Sequence, residues 1–212
     1  MPENNAPNTA RSTADATPEP PGPDDPRYGF AVVTDAVGKL LEATPADSLG
    51  NATPCPEFTV KELSEHIVLV MRRVAAIGRG EHWSTIQPEA QDAGWAESYR
   101  EAAHQVMQAW TDAAKLEATY EVPWGEIPGT PLMYTYTAEL ATHGWDLATA
   151  TGLDFSIDDD VLTAPLIAAK FIPAEGRDTP EMPFSAVVDP GLDAPVLEQL
   201  AGWMGRDVLA TS

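Results

Sequence analysis

Apolar residues recur at helical spacing in four long segments of this chain, and stretches rich in proline and glycine separate the segments. An apolar stripe with a period near 3.6 residues gives a helix one face to bury, so the segments must pack on one another. The sequence therefore predicts a mainly all-α fold, a four-helix bundle with a short C-terminal α/β extension. The expected long helices cover residues 28–44, 59–78, 89–116 and 131–151, and a fifth helix covers residues 158–171.

The second helix has an explicit start signal. Thr59 and Glu62 have the spacing of a capping box, and Phe58 is placed to pack onto Leu63. The apolar line of this helix passes through His66, so we expect its imidazole to lie on the buried face, where it needs a polar partner.

Composition changes at the N-terminal end of the predicted bundle, and the element pattern changes at its C-terminal end. Residues 1–27 contain no Leu, Ile, Val, Phe or Trp, so they cannot bury enough apolar surface to order themselves, and we expect a disordered tail. Residues 28–155 form the expected bundle. Residues 156–212 form the expected C-terminal extension packed on it, with a strand-like run at 184–188 and a last helix.

Charge and cysteine content exclude several classes of partner. The chain has 12 basic and 33 acidic residues, a formal charge of -21, which repels phosphate backbones and anionic lipid headgroups. It has no apolar run long enough to span a bilayer, and we expect no secretory signal, because residues 1–8 show no basic segment followed by an apolar one. With a single cysteine, these features predict a cytoplasmic protein that binds neither nucleic acid nor membrane. A monomer and a homodimer both remain open as its oligomeric state.

Glu139 and His143 stand four residues apart in a segment that otherwise has the pattern of a buried helix. Residues i and i+4 share one face, so both side chains can bind one cation if another helix supplies a third ligand. His66 is the best third ligand. Two histidines and one carboxylate leave a fourth position open on zinc, as catalytic rather than structural zinc sites do. The sequence therefore predicts a divalent metal site, with zinc as the expected ion.

The same residues also have a purely structural explanation. Both histidines can be hydrogen-bonded core residues, and Glu139 can be an ordinary helix-face charge. Glu139 nevertheless lies on the apolar stripe of its helix, where an unpaired carboxylate is costly. Asp146 is the candidate catalytic residue. It can orient a metal-binding histidine, act as a fourth ligand or general base, or simply bond a neighbouring helix.

The remaining polar candidates are less specific. Cys55, flanked by prolines, fits a small buried residue better than a ligand, and His82 and His104 lack a helical partner at ligand spacing. Arg72 and Arg73 lie in the last turns of the second helix, where cations offset the helix dipole. Alternatively, one of them binds a carboxylate of a thiol or substrate, so both are candidate cofactor-binding residues.

Five short motifs are distributed over residues 28–210. They are Thr53-Pro-Cys-Pro56, Val60-x-x-Leu63-x-x-His66, Trp124-Gly-Glu-Ile-Pro-Gly129, His143-Gly-Trp-Asp-Leu147 and Gly205-Arg-Asp207. Together they resemble the DinB-like superfamily, in the actinobacterial branch that contains the N-terminal domain of mycothiol-dependent maleylpyruvate isomerase. His66, Glu139 and His143 match the three metal ligands of that family position by position.

The resemblance implies a bundle with a divalent metal, usually zinc, at one end, where a low-molecular-weight thiol binds. It implies a zinc-dependent isomerase or S-transferase that uses mycothiol and a small electrophilic substrate. The separate C-terminal domain of the isomerase is not recognisable in full after residue 155, so maleylpyruvate itself is not the expected substrate. The alternatives are a non-catalytic metal-dependent binding or sensor module, and a bundle that has kept its fold without metal.

Overall fold

The computed structural model describes residues 21–179, 182 and 184–210, and these are mainly α-helical, as predicted. The helices are α1 (Pro26–Ala43), α2 (Val60–Gly78), α3 (Trp95–Ala109), α4 (Gly129–Thr151), α5 (Asp159–Ala169) and α6 (Val196–Trp203). Strands β1 (Thr119–Val122) and β2 (Gly125–Pro128) form an antiparallel hairpin between α3 and α4, where the sequence indicates an extended segment. None of the described helices combines the length and apolar content needed to cross a bilayer.

The predicted tail, residues 1–27, falls largely outside the described residues. Helix α1 begins at Pro26 rather than at Tyr28, because the Asp25 carboxylate accepts a hydrogen bond from the Arg27 backbone N–H and Pro26 suits the first helical position. The opposite end of α4 is also as predicted, since Gly152 has the left-handed conformation (φ 70°) that ends a helix.

The first four helices share one hydrophobic core. Helix α1 packs on α3 and α4, and α2 packs on the same two helices. The largest fully buried side chains of this part include Trp110, Tyr99, Phe30, Leu63, Ile67 and Met71. Helices α5 and α6 pack on α4 and on each other, and they join the same core through Leu162, Leu166, Leu197 and Leu200. Helix α4 is therefore covered from several sides.

Two predicted elements differ in the structure. The third helix is shorter at both ends than residues 89–116. Residues 89–94 form a loop in which the Gln91 backbone N–H donates to the Glu65 carboxylate (3.0 Å), and α3 ends at Ala109, before a separate short 3-10 helix at Ala113–Leu116. The strand-like run at 184–188 forms no strand among the described residues. Its Val188 N–H donates instead to the Gly202 carbonyl (3.0 Å) at the end of α6, since no neighbouring strand lies beside it there.

Gly144 allows a close contact beside the polar part of α4. A Cβ atom at this position would lie 2.4 Å from Cζ of Phe155, in the segment that follows α4. A separation that short is far inside van der Waals contact, so any side chain here displaces the Phe155 ring. Gly144 is therefore required by packing between α4 and residues 153–157.

We expect Gly144→Ala to destabilise the protein by about 1–3 kcal/mol, because the added methyl group overpacks the contact with Phe155. Gly29→Ala is the matched control: it also lies in a helix, but its Cβ would meet Val161 at an ordinary 3.5 Å. The control should be neutral or stabilising by up to about 1 kcal/mol through higher helix propensity. Urea unfolding of both variants measures this, and equal effects would contradict the packing argument.

Candidate metal centre

Helix α2 places His66 at the site, and its start has the predicted cap. The Thr59 backbone N–H donates to the Glu62 carboxylate (2.8 Å), and the Thr59 hydroxyl accepts from the Glu62 N–H (3.4 Å). Phe58, just before the cap, stacks its ring on the His66 imidazole, with the ring centroids 4.8 Å apart. This stacking holds a half-buried imidazole that remains partly open to solvent.

Helix α4 supplies Glu139 and His143 from one face. Oε1 of Glu139 lies 3.1 Å from Nε2 of His66 and 3.3 Å from Nε2 of His143, so one carboxylate oxygen contacts both imidazoles. One donor atom from each of the three side chains lies within 4.8 Å of the other two. The Glu139 side chain is 30% exposed and that of His143 is 7% exposed. The three residues can thus converge on one cation that solvent still reaches.

The charges of this group depend on one another. Burial alone would raise the pKa of Glu139, but His143 and His66 outweigh it and hold that pKa well below its ordinary value. Burial likewise lowers the pKa of His143, but the Glu139 and Asp146 carboxylates raise it to about 9. Without a metal, a proton on His143 therefore offsets the charge of Glu139, and a bound cation can take over that role.

Asp146 lies behind His143 and is fully buried. Its Oδ2 lies 3.0 Å from Nδ1 of His143, which leaves Nε2 of the same ring to face Glu139. The Arg206 guanidinium donates to the same carboxylate, with distances of 2.7 Å from Nη2 to Oδ2 and 3.1 Å from Nε to Oδ1. Burial raises the pKa of Asp146, but these hydrogen bonds outweigh it and lower the pKa below its ordinary value.

The Arg206 contact depends on how the chain leaves α6. Gly205 has a φ of 87°, a left-handed conformation that favours glycine, and the Arg206 N–H donates to the Ala201 carbonyl (3.0 Å). The guanidinium also donates to the Met204 carbonyl (2.8 Å). The C-terminal segment thereby neutralises the buried carboxylate that orients His143.

A second group of possible ligands, formed by Cys55, His143 and Asp146, has donor atoms within 4.8 Å of one another. It is less suited to a metal. Burial raises the pKa of the Cys55 thiol, which favours the protonated form, and both Asp146 oxygens already accept from Arg206. The position of Cys55 agrees with the prediction of a small buried residue.

Comparison with known proteins identifies the family of this chain. The family model of the mycothiol maleylpyruvate isomerase N-terminal domain matches residues 30–148, more than half of the chain. The chain belongs to this family. It is also 33% identical over 186 residues to uncharacterized proteins from two Mycobacterium tuberculosis strains, covering 87% of this chain and 99% of each relative. No solved structure is significantly similar to it.

In this member of the mycothiol maleylpyruvate isomerase N-terminal domain family, the two candidate arginines have different surroundings. Arg72 forms an ion pair with the exposed Glu89 carboxylate (2.7 Å). Arg73 lies over the Trp83 ring, 5.2 Å from its centroid, and donates one long hydrogen bond (3.4 Å) to the Ile86 carbonyl. Among the described residues, most Arg73 N–H donors therefore have no partner, whereas Arg72 is paired with a carboxylate.

The other histidines lie apart from the candidate ligands. His82 contacts the Ser84 hydroxyl (2.6 Å), and His104 contacts the Gln108 amide (3.4 Å). Among the described residues, neither joins a group able to hold a metal ion.

The sequence patterns indicate no role for Arg206, and they do not predict that the Phe58 ring stacks on His66. The sequence does carry one signal for Arg206. Asp146 lies in a segment with the pattern of a buried helix, where a carboxylate needs a cationic partner, and the chain has only 12 Lys and Arg residues to supply it.

We expect Arg206→Met to cost about 3 kcal/mol of unfolding free energy, because it leaves Asp146 buried without its cation. Adding Asp146→Asn should recover part of this loss. Lys39→Met, which removes an exposed pair with Asp35, is the matched control and should change stability little. Chemical denaturation of the metal-free proteins measures the three effects. If Arg206→Met resembled Lys39→Met, the buried pair would not support the site.

Proposed function

We propose that this protein binds one divalent metal ion, zinc as the expected ion, through His66, Glu139 and His143, and uses it to activate a thiol. The observation that carries the proposal is the meeting of three donor atoms within 4.8 Å, from helices far apart in sequence. Zinc held by two histidines and one carboxylate keeps a position for an added ligand and lowers the pKa of a water or thiol bound there.

Around such an ion, the surrounding residues have separable roles. Asp146 positions His143 by accepting from Nδ1, so that the lone pair on Nε2 is directed to the ligand group. Because Asp146 is fully buried, orienting the imidazole suits it better than touching substrate as a fourth ligand or general base. Arg206 keeps it charged.

Arg73 is the better candidate for holding an anionic part of the thiol or the substrate. It lies seven residues after His66 on α2, two helical turns along nearly the same face. Its positive charge also offsets the acidic field of the whole chain at this point. Arg72 is less suitable because Glu89 already neutralises it.

The family supports mycothiol as the thiol and a small electrophile as its partner. In an isomerase, the thiolate sulfur adds to one carbon of a C=C bond, the resulting single bond rotates, and the thiolate leaves as the double bond forms again. In an S-transferase that works by the same addition, the C–S bond remains and the proton of the thiol goes to the neighbouring carbon. Either reaction needs a reduced thiol, which fits the cytoplasm, where free cysteines also persist.

Solvent access favours this reactive function over a metal sensor. A binding module can close its metal position, but the His66 and Glu139 side chains are 25% and 30% exposed. A small molecule can therefore reach the group through the exposed parts of these two side chains.

Protein purified from cells supplied with zinc should contain about one zinc ion per chain. We expect His66→Gln and Glu139→Gln each to lose most of it, since each removes one of three ligands. His82→Gln and His104→Gln are the matched controls and should retain full occupancy. Elemental analysis after extensive dialysis measures the content.

Three results would contradict the proposal. They are zinc-free wild-type protein, full occupancy in Glu139→Gln, or zinc lost in Cys55→Ser but kept in His66→Gln. The last result would place the ion at the alternative group that contains the cysteine.

A further inference from the structure

Tyr136 lies one helical turn before Glu139 on α4, on the same face as the candidate ligands. Its ring is buried, with 6% of the residue exposed. The ring of Trp124, from the turn of the β hairpin, meets it edge-on, with the centroids 6.0 Å apart. The phenol is therefore held by packing in one position beside the candidate metal centre.

The Tyr136 hydroxyl is available for a ligand. Within the described part of the chain it has no hydrogen-bond partner, and 6% of the residue is exposed. The buried Tyr99 differs, because its hydroxyl donates to the Thr34 carbonyl (3.1 Å). A phenol packed this tightly usually finds a partner, so its free hydroxyl calls for a functional explanation.

The electrostatic surroundings keep this hydroxyl a donor. Burial raises the pKa of Tyr136, and the Glu139 carboxylate raises it further, while Arg73 opposes the change. The charges of Glu139 and Arg73 are therefore both close enough to the phenol to affect its pKa. The region accordingly offers one neutral O–H donor and a guanidinium with unused N–H donors, one or two helical turns from the ligand group.

We propose that Tyr136 is a specificity residue, an inference that rests on the proposed function. Its hydroxyl donates a hydrogen bond to a carboxylate or carbonyl oxygen of the metal-bound thiol or of the electrophile that reacts with the thiol. Arg73 supports the same negative charge. The ligand class that fits is a thiol, or the adduct of a thiol, with an oxygen-bearing group near the sulfur. Purely aliphatic thiols gain nothing from Tyr136.

The test uses the full-length protein loaded with Co²⁺, whose thiolate charge-transfer absorption reports binding directly. Wild type and Tyr136→Phe are titrated with mercaptoacetate, which carries a carboxylate, and with ethanethiol, which does not. We expect Tyr136→Phe to weaken mercaptoacetate binding about tenfold and to leave ethanethiol affinity and cobalt content unchanged. Tyr134→Phe, two residues away and on the opposite side of α4, is the control and should match wild type.

The outcomes distinguish a failure of thiol activation by the metal from a failure of the specificity role of Tyr136. No thiolate absorption in wild type with either thiol would overturn thiol activation, and the role of Tyr136 with it. If both thiols bind wild type but Tyr136→Phe keeps the same preference for mercaptoacetate, only the role of Tyr136 is wrong. Equal weakening of both thiols, or lost cobalt, would show that Tyr136 merely supports Glu139, which also overturns its role in specificity.

Discussion

Helix α4 is buried on most of its surface, yet it carries two carboxylates and an imidazole that each need a partner from elsewhere. Glu139 finds His66 on α2, and Asp146 finds Arg206 beyond α6. His143 lies between the two carboxylates and contacts both. Since an unpaired buried charge is strongly destabilising, these contacts restrict how α2 and the C-terminal segment can pack on α4. The candidate metal centre and the arrangement of the fold therefore depend on the same side chains.

The features that the sequence predicted well are local. The capping box of α2 and the glycine that ends α4 act through hydrogen bonds and backbone conformations a few residues apart, so their patterns are readable directly. The i, i+4 spacing of Glu139 and His143 is local as well. Placing His66 in the same site requires a long-range pairing, and the sequence indicates it because the apolar line of α2 passes through this histidine.

The features that the sequence did not predict depend on tertiary contacts. Residues 89–94 have helical composition, but the bond from Gln91 to Glu65 fixes them as a loop along α2. The run at 184–188 has strand composition, but a strand needs a neighbouring strand, and there its backbone meets the end of α6. Arg206 is 60 residues from Asp146, and its role depends on the left-handed Gly205. No local pattern encodes these three outcomes.

X-ray absorption at the zinc edge tests the central claim most directly, because it reports the atoms around the ion. We expect the zinc-loaded protein to show two imidazole nitrogens at about 2.0–2.1 Å, oxygen ligands and no sulfur. Adding mycothiol should introduce one sulfur at about 2.3 Å. Sulfur bound before the thiol is added, or none bound after it, would contradict a thiol-activating centre built from His66, Glu139 and His143.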